Sequence, residues 1–131
     1  MKVLVDTCIW SIALRRKNPD TEIIQKLQDL IKDDRVSMIG PIRQEILSGI
    51  SNGRQFHKLK KILSAFEDIL LVTEHYEAAA EFSNICRSKG IQGSTIDFLI
   101  CAVAHMENLE IFTSDTDFEN YSRYLPIELM K

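Results

Sequence analysis

KVLVD, at residues 2–6, is the stretch from which the fold is inferred. Its centre, Val3-Leu4-Val5, is a short β-branched and apolar run, and such a run predicts a buried β-strand. The run ends at Asp6, so an acid directly follows a strand that is otherwise apolar. The sequence therefore predicts a core strand with a carboxylate at its carboxyl end.

Strands and helices are predicted to alternate along the rest of the chain. Apolar runs predict further strands at residues 36–39, 69–72, 110–113 and 126–128. Helical spacing of apolar side chains predicts helices at residues 7–17, 21–32, 42–50, 55–66, 76–89 and 95–107, with a short helical piece around Asp117. This alternation is typical of an α/β fold. We expect one domain over residues 1–131, with a central, mostly parallel sheet of about five strands flanked by helices.

Local signals place the inner faces and the ends of several helices. Leu59, Ile62 and Leu63 lie at helical spacing, so we expect all of them to face the core. Gly90 is a candidate left-handed residue just after a helix. Ser94 is a candidate N-cap, with Thr95 as the alternative. The sequence Asn18-Pro19 predicts a break after the first helix.

Composition limits the class of protein. Of 131 residues, 45% are hydrophobic and 27% are charged, which is typical of a globular protein with a packed core. The net charge of -3 argues against an indiscriminate nucleic-acid binder. It does not exclude a nuclease, because a local basic patch can still guide a phosphate backbone.

Three cysteines, Cys8, Cys86 and Cys101, are an odd number and form no CxxC pair. Their spacing argues against a disulfide framework or a zinc knuckle, so we expect free, buried thiols in a reducing compartment. No signal peptide is recognisable, and no apolar stretch approaches the roughly 20 residues that span a bilayer. We therefore expect a cytoplasmic protein with no membrane partner.

Four acids stand out by position, and they are Asp6, Glu45, Asp97 and Asp115. Asp6 and Asp115 follow predicted strands, whereas Glu45 and Asp97 lie near the starts of predicted helices. In a parallel sheet, the carboxyl ends of strands and the helix starts beside them share one edge, where ligands bind. We therefore expect the four carboxylates to meet in one cleft.

Each of these acids also has a purely structural explanation. Asp97 suits the positive end of a helix dipole, and Asp115 suits a helix N-cap. Asp6 suits a turn after a strand, and Glu45 suits a solvated surface. These explanations are weaker for four acids at the same edge, because packed carboxylates repel one another. A divalent cation removes that repulsion, and oxygen ligands favour Mg²⁺, with Mn²⁺ possible. Phosphodiester hydrolysis is the reaction that uses such a set most naturally.

The chain resembles the PIN-domain ribonucleases, and within them the VapC-type toxins of bacterial toxin–antitoxin pairs. The resemblance covers nearly the whole chain, and the matching segments occur in the same order. They are VDTCIW at residues 5–10, PIRQEILSG at 41–49, GSTIDFLICAVA at 93–104 and IFTSDTDF at 111–118.

The resemblance implies roles for particular residues. Asp6, Glu45 and Asp97 match the acids that hold the metal, and Asp115 matches a fourth, more variable acid. Asp117 is similar to a further acid often found there and ranks below Asp115. Thr7 and Thr113 match hydroxyl positions beside the acids, where they would orient ligands or water. Gly49, one turn after Glu45, matches a small position that would keep this face open.

The resemblance also implies an activity and partners. The chain would be a Mg²⁺-dependent endoribonuclease with RNA as substrate, and it would act as a toxin. A cognate antitoxin and a homodimer follow from the same resemblance. The number of metal ions stays open.

Basic and aromatic residues offer further candidates. Arg15, Arg54 and Lys58 could contact substrate phosphates, although a solvated helix face is the simpler explanation of the basic stretch around Lys58. The three histidines, His57, His75 and His105, show no metal-ligand spacing and are interpreted as structural or surface residues. Trp10 is interpreted as a core or dimer contact.

Other functions remain to be weighed against a toxin nuclease. A catalytically idle PIN-like module that binds RNA or protein would keep the fold but usually loses acids, and this chain retains them. A housekeeping PIN nuclease would keep the acids but have no antitoxin. A phosphatase with an aspartyl nucleophile would need a second acid two residues after Asp6, where Cys8 stands.

Overall fold

The computed structural model describes residues 1–15 and 20–131. The strands are β1 (Val3–Val5), β2 (Val36–Ser37), β3 (Glu110–Phe112) and β4 (Glu128–Leu129). The helices are α1 (Thr7–Arg15), α2 (Thr21–Lys32), α3 (Gly40–Leu47), α4 (Gly53–Leu63), α5 (Thr73–Ser88), α6 (Thr95–Met106) and α7 (Asp117–Ser122).

The four strands form one parallel sheet in the order β2-β1-β3-β4. Leu4 in β1 lies opposite Ser37 in β2 and Ile111 in β3. Because all strands run the same way, their carboxyl ends lie along a single edge. The backbone N–H of Asp6 donates to the carbonyl of Phe112 at 2.9 Å, so the ends of the two central strands are joined at that edge.

The core encloses β1 and most of α6. Val3, Leu4 and Val5 have no exposed surface, as expected for a central strand with both faces covered. In α6, every residue from Phe98 to Ala104 is buried. This helix packs along α5 and against β3, so it is enclosed on all sides. The packing of this helix therefore fixes the position of Asp97, which lies one residue before the buried run.

The predicted fold class is confirmed, with a difference in the strand count. The sheet has four named strands, and the strand predicted at residues 69–72 is not formed. Only an isolated parallel bridge joins Met38 to Asp68, with the N–H of Ile69 donating to the carbonyl of Met38. Leu70 is 82% exposed, so this apolar segment does not have the buried environment that a strand beside β2 would give it.

Helix α4 corrects a second prediction. It presents Leu59 and Leu63 to the core, whereas the side chain of Ile62 is 41% exposed. Leu59 and Leu63 are four residues apart and define the inner face, which leaves Ile62 at its margin. Lys60 and Lys61 complete the solvent side of the last turn.

The predicted caps at Ser94 and Gly90 are confirmed, whereas the helix predicted to reach residue 50 ends at Leu47. Ser94 caps α6 by accepting the N–H of Asp97 at 3.0 Å. Gly90 has a φ of 74°, the left-handed conformation expected just after α5. The predicted break at Asn18-Pro19, and the end of the first helix at residues 16–17, lie outside the described residues.

None of the helices in the described ranges combines the length and apolar character that crossing a membrane requires.

We predict that Leu63→Ala lowers the free energy of unfolding by about 2–5 kcal/mol, because it leaves a cavity at a fully buried position. The neighbouring change Ile62→Ala is the matched control and should cost about 1 kcal/mol or less. Urea denaturation of both variants measures the difference. Equal losses would show that α4 faces the core as the sequence pattern predicted, with Ile62 inward.

Candidate metal centre

The sheet edge brings the predicted acids into one region. Asp6 directly follows β1, and Asp115 lies in the loop between β3 and α7. Glu45 lies in α3, the helix that follows β2, and Asp97 lies in the first turn of α6. Strands and helix starts thus supply all four carboxylates to the same end of the sheet, although the residues are distant in sequence.

Within the described residues, Asp97, Asp115 and Asp117 form the tightest group of acids. One carboxylate oxygen from each lies within 4.8 Å of the others. Asp97 and Asp115 are half-buried, whereas Asp117 is exposed. Asp117 ranked below Asp115 on the sequence, and the structure places it beside Asp115. Asp6 and Glu45 are outside this group of three. Thr113 links Asp6 to Asp115, and Thr7 links Asp6 to Glu45.

A relay of hydrogen bonds links Asp6 to Asp117. The hydroxyl of Thr113 donates to Oδ2 of Asp6 at 2.9 Å. The backbone N–H of Asp115 donates to Oγ1 of Thr113 at 3.0 Å, and that of Asp117 donates to Oδ1 of Asp115 at 2.9 Å. The relay fixes the loop between β3 and α7 against the end of β1. The structure therefore places Thr113 beside the acids, and its role toward a metal stays a prediction.

Asp6 is the buried member of the site, with 7% of its surface exposed. Burial raises the pKa of its carboxyl group, and the negative charge of Asp97 acts in the same direction. Hydrogen bonds from the Thr113 hydroxyl and from the N–H of Thr7 oppose this rise in pKa. The charged form of Asp6 is thus disfavoured in the protein alone and would be favoured by a nearby cation.

Glu45 joins the site through Thr7. The hydroxyl of Thr7 donates to Oε1 of Glu45 at 2.8 Å, and its backbone N–H donates to Oδ1 of Asp6 at 2.8 Å. Thr7 therefore bridges two of the predicted metal ligands. Gly49 follows α3 with a φ of 82°, and a Cβ there would meet nothing within 4 Å. The positive φ favours glycine at this position. That Gly49 keeps this face open to a phosphate stays a prediction.

Cys8 contacts Asp6 and Thr113, whereas the sequence predicted only a buried thiol. Its thiol is only half-buried and lies 3.5 Å from Oδ2 of Asp6 and 3.4 Å from Oγ1 of Thr113. The N–H of Ser114 donates to Cys8 Sγ at 3.4 Å. Cys8 therefore packs between β1 and the loop after β3. Cys86 and Cys101 are buried, and all three thiols are free, as predicted.

Asp97 is oriented by residues on both sides. Its backbone N–H donates to Ser94, and its carboxylate Oδ2 accepts the hydroxyl of Tyr121 at 2.7 Å. Burial, followed by the hydrogen bond to Asp97 and by the charges of Asp97, Asp117 and Asp115, raises the pKa of Tyr121. Tyr121 therefore stays protonated and remains a donor. The sequence carries no signal that marks Tyr121, because only its contacts distinguish it from an ordinary core tyrosine.

Two of the three predicted substrate-binding residues, Arg54 and Lys58, are exposed on α4. Arg15 is the last residue of α1, and its side chain lies outside the described part of the structure. The role of all three stays a prediction.

Trp10 and the three histidines occupy different environments, some buried and some exposed. Trp10 is 1% exposed and packs edge-on against Phe66, so it is a core residue. His57 and His105 are exposed. His75 is buried, and its Nδ1 accepts the N–H of Val72 at the start of α5.

Cavity size does not identify the site. A cavity of about 670 Å³ lies beside Arg35, Glu110 and Glu128, near the amino ends of the strands. Arg35 already faces Glu110 there at 3.9 Å, so opposite charges occupy that end. A smaller cavity, of about 410 Å³, is lined by Asp115 but not by Asp97 or Asp117. The site is therefore identified by its group of carboxylates, and not by a cavity.

The acid group has the ligands that a hard divalent cation requires. Its potential ligands are carboxylate oxygens, which suit Mg²⁺ or Mn²⁺. Among the described side chains, no lysine or arginine forms an ion pair with Asp97, Asp115 or Asp117. Their mutual repulsion is therefore not balanced by the protein's own cations, and the residues present fit a bound metal ion.

Comparison with known proteins agrees with this fold. The PIN domain family model matches residues 3–124, and the chain therefore belongs to the PIN domain family. No curated protein gave a significant match to the chain.

Solved structures share the fold at low sequence identity. FitAcB from Neisseria gonorrhoeae is 21% identical with a TM-score of 0.80, and the match covers 98% of this chain and 96% of that one. VapBC2 from Rickettsia felis, bound to a promoter DNA fragment, is 23% identical with a TM-score of 0.80, covering 99% and 98%. A toxin–antitoxin complex from Klebsiella pneumoniae is 21% identical with a TM-score of 0.68, covering 89% and 90%.

The raised pKa of Asp6 predicts how stability depends on pH. The folded protein holds the Asp6 proton more tightly than the unfolded chain, whose carboxyl has the ordinary pKa of 3.8. The ionised Asp6 therefore lowers the free energy of unfolding of the metal-free protein at neutral pH. This loss of stability disappears as the pH falls through the raised pKa toward 3.8. Relative to wild type, Asp6→Asn should gain stability at about pH 7, and the gain should shrink on acidification.

Urea unfolding in the presence of a chelator, repeated across the acidic range, measures this difference. Glu81→Gln removes the same charge from an exposed position and is the matched control. Its stability relative to wild type should stay nearly constant across this pH range. A relative gain for Asp6→Asn that grew on acidification would contradict the assignment.

Proposed function

We propose that the chain is a divalent-metal-dependent endoribonuclease and the toxin of a toxin–antitoxin pair. The observation that carries the nuclease proposal is the approach of the Asp97, Asp115 and Asp117 carboxylates to within 4.8 Å at the sheet edge. Membership of the PIN domain family supports it. Two of these three acids, Asp97 and Asp115, are among the four to which the family resemblance gives a metal-binding role.

Asp6, Glu45, Asp97 and Asp115 would hold the cation, as the resemblance implies, and Asp117 would join them because it lies in the group of three. Mg²⁺ is the proposed ion, and Mn²⁺ would substitute for it. When bound, the ion supplies positive charge that stabilises the phosphate in the transition state and lowers the pKa of an attacking water.

The protein's own contribution is to hold these carboxylates in position before substrate binds. Thr113 holds Asp6 and the backbone of Asp115 together, and Thr7 holds Asp6 and Glu45 together. Because these hydrogen bonds already exist in the folded chain, the carboxylates need little reorganisation during the reaction. The half-buried setting of Asp97 and Asp115 strengthens their interaction with any cation.

RNA is the proposed substrate, and the exposed basic side chains of α4 are its proposed contacts. Of the three predicted contacts, Arg54 and Lys58 lie on this helix, and both are exposed. Helix α4 packs on α3, the helix that carries Glu45, so this surface adjoins the element that supplies one of the acids. Cations on such a surface would attract a phosphate backbone despite the net negative charge of the protein.

The toxin proposal and the antitoxin partner are supported by the solved structures of similar fold. One of them is described as a toxin–antitoxin complex, and the match covers 89% of this chain. A homodimer is proposed from the family resemblance alone.

We predict that the chain cleaves structured RNA with Mg²⁺ and that a chelator abolishes cleavage. Asp97→Asn and Asp117→Asn should each lower kcat by about 100-fold or more, since even residues that only orient metal ligands contribute about 10–100-fold. Glu119→Gln is the matched control, because Glu119 is an exposed acid on the same short helix and lies outside the group of three. Its rate should stay within about twofold of wild type. Undiminished cleavage by both asparagine variants would overturn the proposal.

A second prediction separates a toxin from a housekeeping nuclease. Induced expression of the chain in a bacterial host should arrest growth, whereas Asp97→Asn should not. Co-expression of a small reading frame encoded beside this one should restore growth through binding of an antitoxin. Growth arrest that persists with Asp97→Asn would remove the link between the site and toxicity.

A further inference from the structure

Tyr121 contacts the candidate metal centre from inside the core. Its side chain has no exposed surface, and its hydroxyl donates to Oδ2 of Asp97 at 2.7 Å. A buried hydroxyl needs a partner, and Asp97 is the one that Tyr121 has among the described residues. The same hydrogen bond occupies one oxygen of the carboxylate. Within the part of the chain that the structure describes, Asp97 Oδ1 accepts no hydrogen bond, so this oxygen remains available to a ligand.

Two phenylalanine rings hold the Tyr121 ring in place. Phe98 lies with its ring centroid 5.1 Å away at an interplanar angle of 48°, and Phe118 lies 5.1 Å away at 73°. Phe98 directly follows Asp97 in α6, and Phe118 directly follows Asp117 in α7. The ring is thus packed against the two helices that supply these acids. Its hydroxyl has little freedom to leave Asp97.

Gly93 supplies the space that the Tyr121 hydroxyl occupies. A Cβ at position 93 would overlap the hydroxyl oxygen, and it would lie 2.8 Å from Cζ of Tyr121 and 2.9 Å from Cζ of Phe98. Gly93 is exposed and is not one of the glycines with positive φ. The requirement for glycine at this position is therefore steric, unlike that at Gly49.

We propose that Tyr121 is a positioning residue for the metal centre, that it orients the Asp97 carboxylate toward Asp115 and Asp117, and that Gly93 preserves the space for its hydroxyl. The proposal rests on the proposed function, because it assumes that these acids bind a divalent cation. Without the hydroxyl, the Asp97 carboxylate would rotate among several orientations, and the cation would have to order it on binding.

The test is the affinity of the metal-free full chain for Mn²⁺, measured by calorimetry and by electron paramagnetic resonance. Tyr121→Phe removes one oxygen and keeps the ring, and we expect it to weaken Mn²⁺ binding by about 10–100-fold. Tyr124→Phe is the matched control, since Tyr124 is 43% exposed and lies just after α7, and its affinity should equal that of wild type.

Gly93→Ala provides a second route to the same result. Its methyl group should displace the Tyr121 hydroxyl and also weaken Mn²⁺ binding by about 10-fold or more. Urea unfolding of each variant is measured alongside. A loss of Mn²⁺ affinity in a variant that still unfolds cooperatively separates positioning from a purely structural role.

The outcomes distinguish this proposal from the proposed function. Weaker Mn²⁺ binding by Tyr121→Phe and Gly93→Ala, with normal binding by Tyr124→Phe, supports the positioning role. Wild-type affinity in Tyr121→Phe overturns that role and leaves the metal-dependent nuclease intact. A wild-type chain that binds no Mn²⁺ overturns both.

Discussion

A carboxylate at the end of a buried strand has to be stabilised by its neighbours, and at Asp6 two threonines do this by donating hydrogen bonds. Most of the site follows from these hydrogen bonds. The strand before it has no exposed side chain, so burial raises the pKa of the Asp6 carboxyl. Thr7 and Thr113 donate hydrogen bonds to its two oxygens. The same threonines contact Glu45 and Asp115, so the groups that stabilise Asp6 also position the other acids.

The site therefore depends on the parallel sheet and on its packing against α6. The sheet places the ends of β1 and β3 side by side, with the N–H of Asp6 bound to the carbonyl of Phe112. Helix α6 is buried from Phe98 to Ala104, and its packing fixes the position of Asp97 at the carboxyl edge of the sheet. Hydrogen bonds within the loop after β3 then bring Asp115 and Asp117 to Asp97. A large buried scaffold thus supports a small, negatively charged surface.

Much of this arrangement could be predicted from local sequence. Apolar runs identified the named strands, and the acid after the first strand pointed to the functional edge. Those signals are local, since each depends on a few consecutive residues. The segment at residues 69–72 has the same apolar pattern as a strand and forms only a bridge at Asp68, because strand formation depends on a partner and on burial. The exposure of Ile62 likewise depends on which side of α4 meets the core.

The details of the site depended on contacts between distant parts of the chain. The sequence ranked Asp117 below Asp115, yet the turn that begins α7 places both beside Asp97. Tyr121 was not identified at all, since its hydrogen bond to Asp97 joins residues 24 positions apart. The steric need for Gly93 follows from the same tertiary contact. Resemblance to a family located the acids, and the three-dimensional structure was needed to show what orients them.

Anomalous diffraction from crystals of the chain grown with Mn²⁺ tests the central claim most directly. The account predicts a strong anomalous peak among Asp97, Asp115 and Asp117, within about 2.0–2.6 Å of carboxylate oxygens, as for hard cations bound by oxygen ligands. A well-occupied ion bound only elsewhere, such as beside Glu110 and Glu128 at the opposite edge, would contradict it. Absence of any anomalous peak at the acid group at saturating Mn²⁺ would contradict it equally.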